Sequence, residues 1–201
     1  MATNSQSESR EQDQQQSTRQ SLNDFQLIPY TQVDGEWTLP ANFVAAAYLQ
    51  MLSEENVDTV FSDGTVLSEL EFIELCQRKS NVVVFVLRDR EFLGVAWLNG
   101  FAADRAFGHF CFASEATRSQ STLAMGKAIV NDYWLSFPTL NFVLGIVPSF
   151  NKRAIRFVEK IGFTKVGAIP NLMEGPNGRS AAVIFYNTGL NDNGNAIQRR
   201  R

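Results

Sequence analysis

One histidine, His109, and two cysteines, Cys76 and Cys111, are the side chains whose types most readily move protons or hold a metal. An imidazole titrates near neutrality, so His109 is a candidate general base. Its setting, Phe107-Gly-His-Phe-Cys-Phe112, also suits a ring that is hydrogen-bonded inside a sheet. One histidine with two cysteines is too small a set for a structural zinc site, and no metal is expected. Cys76 falls in a helical pattern and Cys111 in an apolar strand. Two buried free thiols are therefore expected rather than a disulfide, which suits a reducing compartment. A different signal is Asn151, with Ala154 three residues on and Gly162-Phe163 after a helical stretch. Asn is a helix cap, and Gly is a helix stop that accepts the left-handed conformation.

These groups need elements to position them, and the period of the apolar residues shows where the elements lie. Phe25 to Tyr30 is short and extended, and Leu39 to Leu52 reads as a helix with Pro40 in its first turn. A second helix is expected from about Thr65 to Gln77, with Val66, Leu70 and Ile73 at helical spacing. The β-branched run Asn81 to Leu87, the charged turn Arg88 to Glu91 and the run Phe92 to Leu98 predict a hairpin. Phe107 to Ala113 is the fourth strand. Thr122 to Phe137 is an amphipathic helix with Leu123, Val130, Tyr133, Trp134 and Phe137 on one side. Phe142 to Val147 is nearly all apolar, as a strand covered on both faces would be. Asn151 to Ile161 is the last helix, with Ala154, Phe157, Val158 and Ile161 inward. Phe163 to Ile169 and Ala181 to Tyr186 close the domain as strands.

This order describes a mixed α/β layered domain. With 201 residues, one domain with a proper core is expected, over residues 22–187. Residues 1–21 are polar throughout and 188–201 end in Arg199, Arg200 and Arg201, so both flanks are expected to be disordered. The arginine tip would suit phosphate or an acidic partner, and equally a solvated tail. A composition of 44% hydrophobic and 19% charged residues with a formal net charge of −3 argues against a general nucleic-acid or membrane-surface binder. The first residues carry no secretory pattern, and no apolar run approaches the ~20 residues needed to cross a bilayer. A soluble cytoplasmic protein is expected.

Two segments resemble motifs of the GNAT superfamily of N-acetyltransferases. Asn151-Lys-Arg-Ala154-Ile-Arg-Phe-Val-Glu-Lys-Ile-Gly162-Phe163 is similar to the family's N-x-x-A/S, helix, G-F unit. Ser121-Thr122-Leu123-Ala124-Met125-Gly126 resembles the Q/R-x-x-G-x-G/A loop, where small residues let backbone N–H groups and a helix start reach the coenzyme A pyrophosphate. Ser121 stands where Gln or Arg is usual, and Ala124 where the first Gly is; Arg118, Gln120 or Lys127 would then meet the phosphates. Outside the resemblance, Gly126 reads simply as room for packing. The resemblance covers about Val82 to Tyr186. It implies a mostly antiparallel sheet of six or seven strands, splayed between the fourth and fifth, with about four helices.

The resemblance further implies acetyl-coenzyme A as co-substrate and a primary amine as acceptor: a protein N-terminus, a lysine or a small amine. A backbone N–H near Phe112, Ala113 and Ser114 would polarise the thioester carbonyl. His109 and Glu115 are the candidates for the amine's proton, and Asn151 and Phe157 belong to the cofactor side. Val158 holds the position of the family's frequent tyrosine acid, which leaves Tyr133 or solvent for that role. Trp97 and a loop from Pro170 to Arg179 would shape the acceptor site. The alternative is a GNAT-fold protein without chemistry that serves as a binding or structural component, of phage or prophage origin.

Overall fold

The computed structural model describes residues 25–61, 64–114, 116, 121–175 and 178–189. Of the flanks expected at 1–21 and 188–201, residues 1–21 and 190–201 lie outside the described residues, as do Glu115, Arg118 and Gln120. In chain order the elements are β1 (Gln26–Pro29), the small hairpin β2 (Gln32–Val33) and β3 (Glu36–Trp37), α1 (Ala41–Ser53), the single turn α2 (Val57–Val60), α3 (Glu69–Gln77), β4 (Val82–Arg88), β5 (Glu91–Ala102), β6 (Arg105–Phe112), α4 (Ser121–Ser136), β7 (Phe142–Pro148), α5 (Lys152–Lys160), β8 (Thr164–Gly175) and β9 (Gly178–Asn187). Seven strands form one sheet in the order β1-β4-β5-β6-β7-β9-β8. Every neighbouring pair is antiparallel except β6 and β7, which run parallel. Among the described residues, no helix is long and apolar enough to cross a membrane.

The β4–β5 hairpin turns through Asp89 and Arg90, both at positive φ, as a two-residue turn matched to strand twist requires. In that ladder Val86 faces Gly94 and Leu87 faces Phe92, so Leu93 is an extra residue. The bulge resets the alternation. Phe92, Val95 and Trp97 therefore enter one core with α1 and α3, while Leu93, Ala96 and Leu98 enter the other, under α4 and α5. Each large apolar side chain buried this way contributes roughly 1.5–3 kcal/mol before entropy is counted.

Three expectations are corrected. The second helix begins at Glu69 rather than Thr65, because Ser68 caps it: its hydroxyl accepts from Glu71 N–H at 3.3 Å while the Glu71 carboxylate accepts from Leu67 N–H. Its buried face is Phe72, Leu75 and Cys76, and Leu70 is exposed. In α4 the inward residues are Met125, Gly126, Ile129, Val130, Tyr133 and Trp134, with Leu123 facing out. β7 is covered on one face only. Val143, Gly145 and Val147 are buried, whereas Phe142 and Ile146 are each 41% exposed, because α1 and α3 cover only the β1-to-β6 half of the sheet.

Candidate active site

β6 and β7 pair at only three positions: Arg105 with Phe142, Ala106 with Val143 and Phe107 with Leu144. Beyond Phe107, β6 stays with β5 as far as Phe112, and β7 stays with β9 as far as Pro148. The two central strands thus part into a V-shaped notch lined by backbone. Along an antiparallel strand successive N–H groups point alternately to the two sides. Ala113 N–H donates to the Leu93 carbonyl at 2.9 Å, on the β5 side. The N–H of Phe112 and that of Phe110 therefore point into the notch. Of the three residues expected to polarise a carbonyl, Ala113 is committed to β5 and Ser114 N–H donates to Glu54 Oε2 at 2.6 Å. Phe112 is the one whose N–H faces the notch.

Side chains alternate as the amides do. Phe112 and Phe110 lie on the α4–α5 side, where Phe157 meets them edge-on with ring centroids 5.4 and 6.1 Å away. Phe157 in turn lies against Gly126: a Cβ there would come 2.5 Å from its ring and 2.8 Å from the Ile161 side chain. Gly126 is therefore required for α4 to approach α5, and a larger residue at this position cannot serve as a clean probe of phosphate binding. The hydroxyl of Thr122 donates to the Ala116 carbonyl, tying the first turn of α4 to the chain that leaves β6. Phe112, Ala113, Ser114, Thr122, Gly126 and Phe157 form one neighbourhood around the notch. Ser121 and Met125 are buried beneath it, Ala124 is half-buried and Leu123 is turned outward.

Asn151 holds the base of α5. Its Oδ1 accepts from Ala154 N–H at 2.9 Å. At the other end Gly162, at φ +99, donates to Glu159, and Phe163 N–H donates to the Val158 carbonyl. This is the left-handed stop that the sequence predicts.

His109 lies on the opposite face, toward α1. Its ring stacks on Trp97 at 4.7 Å with 5° between planes, Trp97 stacks on Phe61 at 5.7 Å, and His109 Nε2 is 3.1 Å from Asn99 Oδ1. Tyr133 lies about two turns down α4 from Gly126 and is sealed in the core at 1% exposure. Burial, and behind it the nearby Asp132, push its phenol well above the ordinary value. The structure thus places Tyr133 in the core packed under α4, apart from the residues that line the notch. Cys76 and Cys111 are free and buried. Desolvation, with a smaller contribution from the charge of Glu54, pushes Cys111 up to about 12, and Cys76 is raised by desolvation alone. Within the loop expected from Pro170 to Arg179, residues 170–175 instead continue β8, with a bulge between Ile169 and Met173, and Gly178 and Arg179 begin β9.

Glu54 was not visible as a site residue. It ends α1, sixty residues before the amide it holds, and nothing local marks it. The Ser-Glu-Glu-Asn run at 53–56, acidic where a helix ends, was the only available hint.

The sequence matches no protein-family model and no curated protein. In structure the chain is similar to spermidine N-acetyltransferase from Vibrio cholerae, solved with CoA and spermine, at 15% identity and a TM-score of 0.63 over 81% of this chain and 95% of that one. It is similar to the acetyltransferase from Salmonella typhimurium that modifies the N-terminal serine of ribosomal protein L7/L12, at 11% identity and a TM-score of 0.65 over 83% and 95%. It is also similar to the microcin C7 self-immunity acetyltransferase MccE, solved with acetyl-CoA and AMP, at 11% identity and a TM-score of 0.63 over 83% and 93%. At these identities the likeness is one of backbone, and with its split central strands and Asn151-to-Gly162 unit the chain has the GNAT acetyltransferase fold.

Proposed function

We propose that this chain transfers an acetyl group from acetyl-coenzyme A to a primary amine, with residues 22–187 as the transferase domain. The observation that carries the reading is the notch, where β6 and β7 separate after Phe107 and Leu144 and leave backbone edges facing each other. Such edges suit a ligand rich in amides, because an extended chain can add to each as a strand would. The residues around the notch fit acetyl-coenzyme A in this way. Phe112 N–H is aimed where a thioester carbonyl would be polarised. The start of the sixteen-residue α4 lies beside it and presents N–H groups suited to phosphate. Bound acetyl-coenzyme A would supply the activated acetyl group.

A protein N-terminus, a lysine and a small amine such as a polyamine are all primary amines, and the choice among them rests on the loops around the notch. Calorimetry with acetyl-coenzyme A on the full chain tests the reading. Binding at micromolar to low-millimolar concentration is expected, and no heat at millimolar ligand would sink it. Tight binding without acetylation of any amine would instead favour a protein that kept the fold and lost the chemistry, which Val158 at the usual tyrosine position would explain.

A further inference from the structure

Glu54 stands half-buried at the end of α1 on the face of the sheet opposite α4. Three neutral donors hold its carboxylate: Ser114 N–H at 2.6 Å and Asn56 Nδ2 at 3.1 Å on Oε2, and Gln50 Nε2 at 3.3 Å on Oε1. A carboxylate offers about four lone-pair sites, so one remains. Among the described residues no Lys or Arg nitrogen lies within 4.0 Å of it. The side chain is thus oriented by hydrogen bonds, and among the described residues its charge has no cationic partner. The Ser114 amide that it holds lies two residues along the backbone from the Phe112 amide, at most about 7 Å of chain. The α4 start approaches the notch from one face and Glu54 from the other.

We propose that Glu54 binds the ammonium group of the acceptor and takes its proton, an assignment that rests on the transferase reading above. The ammonium gives one proton to the Glu54 carboxylate, and the freed nitrogen lone pair forms a C–N bond to the acetyl carbon. The C–S bond breaks with its electron pair leaving on sulfur, and the second nitrogen proton ends on that sulfur as coenzyme A thiol. Glu54 then returns its proton to solvent. No other reactant is needed. The neutral donors around Glu54 explain why Ser114 N–H is spent on a side chain instead of on the thioester: it aims the base.

Glu54→Gln separates this role from a structural one, because the Gln carbonyl still accepts from Ser114 N–H while the charge is gone. In the full chain saturated with coenzyme A, titration of n-butylammonium chloride should shift the Ser114 amide resonance in wild type and leave it unmoved in Glu54→Gln. With spermidine and a serine-initiated peptide as acceptors, Glu54→Gln should lose about 10²- to 10⁴-fold in turnover while its melting temperature and acetyl-coenzyme A affinity stay at wild-type values. An unmoved Ser114 amide in wild type, or a Glu54→Gln rate within threefold of wild type, overturns the assignment. Failure of wild type to bind acetyl-coenzyme A is a separate result, and it removes the transferase reading along with the proton transfer.

Discussion

At Gly126 two helices touch so closely that the residue has no freedom to grow. Gly126→Ala should gain helix propensity, yet its methyl group must displace the Phe157 ring. Overpacking of this kind costs about 1–3 kcal/mol, and a fall of several degrees in melting temperature should follow, with Phe157→Leu in the same chain recovering part of it. Tyr133 poses the converse problem. Among the described residues its buried hydroxyl has no hydrogen-bond partner. Leaving such a group buried costs about 1–3 kcal/mol, so Tyr133→Phe should hold or raise the melting temperature. A clear loss of stability would show that the hydroxyl is satisfied after all. Both residues mark where single-residue reading stops. Gly126 and the small residues near it are equally suited to cradling phosphate and to admitting a helix, and what separates the two is Phe157 and Ile161, more than thirty positions away. Glu54 is more hidden still, since its meaning lies in a bond to Ser114.

Among the elements, α5 is the most legible and β7 the least. A cap and a stop act within four residues, so the chain from Asn151 to Phe163 specifies its own boundaries. Asn151→Ala should cost about 1 kcal/mol, in the range 0.5–2, by orphaning Ala154 N–H. Chemical denaturation of that variant checks it. A strand's coverage, by contrast, depends on what other elements do. The apolar run Phe142 to Val147 predicts burial on both faces, and the sheet instead leaves Phe142 and Ile146 open because α1 and α3 do not extend over that half. The extension of β8 to Gly175 escaped for a related reason: Pro170 and Asn171 read as a turn, and Asn171 does adopt φ +57, but as part of a bulge within a continuing ladder. The β4–β5 hairpin and α4 lie within a few residues of their expected bounds, because the period of a segment's own apolar residues fixes them.

For the molecule as a whole, burial of its thiols makes stability depend on alkaline pH. An unfolded cysteine titrates near the ordinary 9.0, whereas Cys111 in the fold is held protonated up to about 12 by desolvation and, secondarily, by Glu54. Between those values the unfolded chain has released protons that the folded chain keeps. The contribution is complete below pH 9 and is lost as pH rises toward 12. Cys76 and Tyr133, also raised, act in the same direction. The urea midpoint should fall steadily between pH 8 and pH 11, and more shallowly in Cys111→Ala. An equal slope in the two proteins would contradict the burial of that thiol.

The sheet order carries one more consequence. β9, the last of the described strands, lies between β7 and β8, pairing with β7 from Val143 to Pro148 and with β8 along most of its length. At its end, Asn187 accepts from Trp134 Nε1 and Gly189 N–H and donates to the Gly162 carbonyl, locking α4, the end of α5 and the chain after β9 together. One half of the described architecture therefore waits on a single segment that follows β8 between Gly175 and Gly178. The protein is a natural candidate for division into two pieces: a polypeptide ending at Gly175 should present a vacant slot, and a separate peptide spanning residues 178–189 should complete it in trans, restoring cooperative unfolding only when both are mixed.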